Sequence, residues 1–133
     1  MVDIFKIQRG GSKTFPFVVL QDDNITPEDL GLFTNILVQF IHLETGAIME
    51  SYAMAALTEG SPSITYNTAD FHIVSAVAGT FEIALQSAKT LNAELGEYIV
   101  VVEPRKTDSD FTEGYEKDHP FEKLFEIIDK HSA

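Results

Sequence analysis

The chain is 133 residues long, 44% hydrophobic, and carries a net charge of −12 from 21 acids against 9 bases. That hydrophobic share, with a mean hydropathy of +0.02, argues for a folded globule and against disorder. The acidity, with Lys and Arg scattered singly apart from Arg105-Lys106, argues against a binder of nucleic-acid phosphates; the absence of cysteine excludes disulfides and thiolate chemistry.

The start, Met1-Val2-Asp3-Ile4-Phe5-Lys6, lacks the basic and apolar regions of a signal peptide. No apolar run reaches the about 18 residues that a membrane span needs. A reducing cytosol, or a particle assembled inside a cell, is the expected setting.

Ile4, Phe5 and Ile7 open a short strand that stops at Gly10-Gly11. Thr14 to Leu20 reads as a second strand, with Phe15, Phe17 and Val19 on one face and Pro16, Val18 and Leu20 on the other. Pro16 cannot donate to a ladder, which puts this strand at an edge or through a bulge. Gln21-Asp22-Asp23-Asn24 is a turn. Thr26 to Leu30 reads as a single helical turn, capped by Thr26, with Pro27 at its first position and Gly31 at its end.

Leu32 to Leu43 is the strongest strand. Ile36, Val38 and Phe40 share one face, while Leu37, Ile41 and Leu43 share the other with Gln39, which predicts a central strand covered at least partly on both sides. Glu44-Thr45-Gly46 turns the chain into a hairpin partner over Ala47 to Met54. Thr58 to Ser63 is loop, followed by Ile64-Thr65-Tyr66 and a strand over Phe71 to Val77. Thr80 to Leu85 alternates cleanly, Phe81, Ile83 and Leu85 inward, and Glu97 to Glu103 is the last strand. About seven or eight short strands at this spacing predict an all-β antiparallel sandwich over residues 1–104.

Residues 105–117 read as an exposed polar connector, and 118–133 as a C-terminal amphipathic α-helix opened by Asp118 and Pro120. Phe121, Leu124, Phe125 and Ile128 fall at i, i+3, i+4 and i+7, one apolar stripe. Such a short helix needs a surface, either its own sandwich or a neighbouring subunit. The long connector favours the neighbour, which makes these four the candidate protein-interaction residues.

The opening Phe5-Lys6-Ile7-Gln8-Arg9-Gly10-Gly11-Ser12-Lys13-Thr14-Phe15-Pro16-Phe17 resembles the start of small Ig-like domains of bacteriophage tail and baseplate proteins. Pro27-Glu28-Asp29-Leu30, Gly79-Thr80-Phe81-Glu82-Ile83-Ala84-Leu85 and Leu95-Gly96-Glu97-Tyr98-Ile99-Val100-Val101 continue the pattern across about residues 3–103. The connector and helix depart from it. The resemblance implies an Ig-like sandwich with a virion structural role in a tail, baseplate or head–tail connector. It would act without an active site, assembled in the host cytoplasm with other virion proteins and copies of itself, in an oligomer or ring.

No pattern for chemistry competes with this. His42, His72, His119 and His131 have no zinc-ligand spacing, so no metal is expected, and His42 and His72 read as hydrogen-bonded strand histidines. Asp22-Asp23-Asn24 and Asp108-Ser109-Asp110 with Glu113 lack the spacing of a calcium loop. Gly10-Gly11-Ser12-Lys13-Thr14 has the end of a phosphate loop without its first glycine, and reads as a strand kink. No serine sits in a Gly-x-Ser-x-Gly elbow, and no cofactor or catalytic residue is expected. An enzyme would need an aromatic-lined cleft with two close carboxylates. A ligand- or carbohydrate-binding module, using loops such as Thr58 to Ser63, is the alternative to the structural role.

Overall fold

Alternation of buried and exposed side chains along Lys13–Val18, Thr80–Leu85 and Gly96–Thr107 builds much of the core, and the computed structural model describes residues 5–21, 25–60, 63–107, 109–110, 112, 115–117 and 121–128. The strands are β1 (Phe5–Gln8), β2 (Lys13–Val18), β3 (Asn35–His42), β4 (Ile48–Ala53), β5 (Thr58–Glu59), β6 (Ile64–Thr65), β7 (Phe71–Ser75), β8 (Thr80–Leu85), β9 (Gly96–Thr107), β10 (Tyr115–Lys117) and β11 (Phe121–Ile128). A 3-10 turn at Leu30–Leu32 and the one-turn helix α1 (Ser87–Thr90) are the helical pieces among the described residues.

The larger sheet has six strands in the order β1-β11-β9-β3-β4, with β10 pairing the far end of β9; a three-stranded sheet has the order β2-β8-β7. All pairs are antiparallel except β1 with β11, which run parallel. The two sheets meet over one core. Phe15 of β2 lies edge-on to Phe40 of β3 and Phe125 of β11, each at 5.1 Å, while Phe81 of β8 stacks on Phe17 and Phe71. Every inward position of β8, Phe81, Ile83 and Leu85, is fully buried, as its alternation predicts. Ile36, Val38 and Phe40 of β3 are buried on the same core.

Proline placement follows the ladders. Pro16 lies on β2, an edge strand, as a missing donor requires. Pro104 is harder, since β9 is central. Its register partner Ile36 turns its carbonyl towards Met54 on the β4 side, so Ile36 and Pro104 are not hydrogen-bonded to each other. The side where Pro104 lacks its N–H is where β10 ends at Lys117 and β11 begins at Phe121, so neither paired strand loses a bond there.

Two expectations are corrected. The C-terminal helix is a strand: Phe121–Ile128 forms β11, seated between β9 and β1. Its pairing runs from Phe121↔Val102 to Ile127↔Gly96, with Phe5↔Phe125 to Gln8↔Ile128 on the other side. The physical reason is that both neighbours need a partner, and ladder bonds along eight residues outweigh a marginal helix. Period two replaces period 3.6, so Phe125 and Ile127 are fully buried while Leu124 is 38% exposed. The expected cap at Asp118 and Pro120, and the segment after Ile128, lie outside the described residues.

The second correction concerns Thr26 and Pro27. Thr26 accepts from the Gln21 N–H and the Glu28 N–H donates to Val19, which holds this segment extended beside the end of β2. The turn comes later, with Asp29 as the N-cap accepting from the Gly31 N–H at 2.8 Å. Nearby, Gly79 has a φ of +70° and is wedged in: a Cβ there would lie 2.5 Å from the Glu28 carbonyl oxygen and 2.7 Å from that of Val19.

The stretch expected as connector is partly sheet. β9 runs on through Arg105 to Thr107, and Tyr115–Lys117 folds back on it. Arg105 is buried, and its guanidinium grips both Glu59 oxygens, at 2.8 and 3.2 Å, as well as Glu103.

Candidate functional site

The outer face of the larger sheet is the surface that the core does not use. At one end it is covered. Leu37 and Ala53 pack with Tyr66, Leu57 and Ile64, placing the β5–β6 hairpin over β3 and β4. Gln39 donates to Ser51 and to the Tyr66 hydroxyl beneath it, and the Arg105–Glu59 fork clamps the hairpin to β9. Burial opposes the charge on Arg105, yet the hydrogen bonds and charges of Glu59 and Glu103 outweigh it and hold the guanidinium protonated more firmly than usual. These contacts tie Glu59, in the loop expected to serve a ligand-binding module, to the sheet.

At the other end the face is open. The register sets Ile48 beside Ile41, Ile41 beside Ile99, and Ile99 beside Leu124, a row of four aliphatic side chains crossing β4, β3, β9 and β11. Ile48 is 44% and Leu124 38% exposed; Ile41 and Ile99 are half-buried between them. Beside the row lies a shallow groove of about 370 Å³ lined by Leu43, Glu44, Gly96, Glu97 and Glu126. Lys6 reaches Glu126 at 3.9 Å, a loose surface pair. The result is an aliphatic strip with an acidic margin.

A second groove, of about 280 Å³, lies at the sandwich end against His42, Met49, Lys89, Glu94 and Tyr98. Several of its polar groups are engaged by the fold. His42 accepts the Thr45 N–H at Nδ1, at 3.3 Å, so Nε2 carries the proton and donates to the Leu95 carbonyl at 3.0 Å. Tyr98 donates to the Glu94 carbonyl at 2.8 Å, and Lys89 pairs with Glu50 at 3.2 Å. His72, the other histidine described, meets the Ala69 carbonyl at 3.1 Å. Among the described residues no three His, Asp or Glu side chains converge on a metal position. The Gly10-Gly11 turn is likewise structural: Gly10 donates to the Thr90 hydroxyl, which itself donates to the Gly11 carbonyl at 2.7 Å.

The four residues of the apolar stripe are separated by the strand. Phe125 is in the core, against Phe15, Phe40 and Tyr98, whereas Leu124 lies on the open face and Ile128 is half-buried. Phe121 pairs with Val102 through its backbone, and its side chain lies outside what is described. His119, His131 and Asp22-Asp23-Asn24 also lie outside the described residues. Sequence reasoning missed Ile41, Ile48 and Ile99 as surface residues. For Ile41 the signal was the apolar residues on both faces of β3.

The chain matches no protein-family model and no curated protein at a significant level.

Proposed function

We propose that this chain is a non-enzymatic structural protein of a bacteriophage virion, an Ig-like sandwich that assembles in a tail, baseplate or head–tail connector. The observation that carries the assembly reading is the open aliphatic row Ile48-Ile41-Ile99-Leu124. Contiguous apolar surface bounded by charge is where protein partners dock, whereas singly scattered apolar residues are ordinary. The two-layer antiparallel architecture, and the strand-and-turn pattern across about residues 3–103, support the Ig-like and phage parts of the reading. The net charge of −12 favours protein partners over nucleic acid.

The test is mass spectrometry of purified particles from the phage or prophage that encodes the chain, with Leu124→Asp as the companion variant. The chain is expected at fixed stoichiometry in the particle, and Leu124→Asp should reduce its incorporation while the isolated protein melts normally. Particles that are infectious and contain none of it overturn the reading.

A further inference from the structure

An edge strand presents unpaired N–H and C=O groups, so proteins defend their edges with charge, proline, bulges or cover. The edge strands of the two large sheets are not equally defended. β1 carries Lys6, and β2 carries Lys13 and Pro16. β4 carries Glu50, has a register shift opposite Phe40 and Ile41, and is bridged at Tyr52 to Asn67. β10, beside β11, carries Glu116 and Lys117. β7 carries no Lys, Arg, Asp, Glu or proline, and neither do the 11 residues from Phe71 to Phe81. Its side chains are open: Ile73 is 49%, Val74 57% and the following Val77 77% exposed. A register shift between Ile73 and Ser75 shortens the edge and adds no charge to it.

The ladder says which backbone groups are available. Ala84 donates to the Asp70 carbonyl, so 70 and 84 form a hydrogen-bonded pair and His72 with Glu82 is the next. The N–H and C=O of Ile73 therefore point away from β8, into the open edge.

Charge selects the occupant. A basic partner strand would find no acid on β7 itself to pair with. Asp70, at its start, is engaged by Asn67 and Gln86 at 2.9 and 3.0 Å. Two copies, each at −12, repel over most of their surface, so a contact between them needs a meeting line free of charge. β7 is such a line, and it is self-complementary. Antiparallel pairing about a twofold at Ile73 lets its N–H and C=O exchange both bonds with Ile73 of the second copy. His72 then faces Val74, and Phe71 faces Ser75, with no charge opposite another.

We propose that β7 is a homodimerisation edge, where two copies join their three-stranded sheets into one continuous six-stranded sheet. This rests on the reading of the chain as an assembly protein, but uses a surface separate from the aliphatic row.

The test is sedimentation equilibrium of the full chain over a concentration series. Wild type should show a monomer–dimer equilibrium. Ile73→Lys, which sets two ammonium groups opposite each other, should raise the dissociation constant about tenfold or more, or about 1.4 kcal/mol. Val74→Lys should act in the same direction and serves if Ile73→Lys does not fold, while Leu124→Asp should leave the dimer intact. In wild type the Ile73 amide should exchange more slowly with hydrogen as concentration rises. A strictly monomeric wild type overturns the proposal, as does a dimer insensitive to both lysines. A dimer dissolved by Leu124→Asp alone would move the contact to the aliphatic row, overturning this proposal while sparing the function proposed above.

Discussion

Tyr52 is fully buried in the core, and its hydroxyl is the one buried side-chain polar atom with no hydrogen-bond partner among the described residues. Burial first, then the charges of Glu50 and Asp70, push this phenol well above its ordinary value. Because the folded state holds the proton more tightly than the unfolded chain does, Tyr52 contributes nothing to pH dependence below about pH 10. Above that value the unfolded state loses its proton first, and stability falls as pH rises. Tyr52→Phe removes both the unsatisfied hydroxyl and this linkage. It should leave stability at neutral pH unchanged or raise it by up to about 1 kcal/mol, and flatten the alkaline loss, as urea melts at pH 8 and pH 10.5 would show. A loss of about 2 kcal/mol at neutral pH would mean that the hydroxyl has a bonding partner after all.

At the scale of elements, legibility followed how many partners a strand needs for its pattern to make sense. β8 was readable because every inward residue meets one core, and β2 because Pro16 marks an edge. β11 was misread because Phe121, Leu124, Phe125 and Ile128 satisfy a helical stripe as well as Phe125 and Ile127 satisfy alternation. Ile127, left outside the stripe, was the discordant residue. What decides between the periods is long-range: β1 and β9 on either side, contributed by residues 120 positions and 19 to 31 positions away. The four residues singled out for docking thus divide, with Leu124 retained on the open face and Phe125 lost to the core.

This makes removal of the C-terminal strand a test of the fold. A chain ending at residue 117 should lose β11, expose Phe15, Phe40 and Tyr98, and fail to melt cooperatively by near-ultraviolet circular dichroism. The milder Phe125→Ala should cost about 3–5 kcal/mol in denaturant melts. A truncated chain that melts as wild type would show that the segment is dispensable to the sandwich.

Over the whole molecule, the net charge of −12 and the location of uncharged surface act against each other. The aliphatic row is margined by Glu44, Glu97 and Glu126, so a partner docking there gains by bringing positive charge, and added salt should weaken it. The β7 edge has no charge to offer, so its pairing opposes only the diffuse repulsion of two acidic bodies. Salt shortens the range of that repulsion, from about 30 Å at 0.01 M to about 8 Å at 0.15 M, while leaving neutral ladder bonds and aliphatic contact nearly untouched. Dimerisation through β7 should therefore tighten as sodium chloride rises from about 0.02 to about 0.3 M, read by sedimentation equilibrium. An association that instead weakens over that range is held by opposite charges, and the β7 edge is not what holds it.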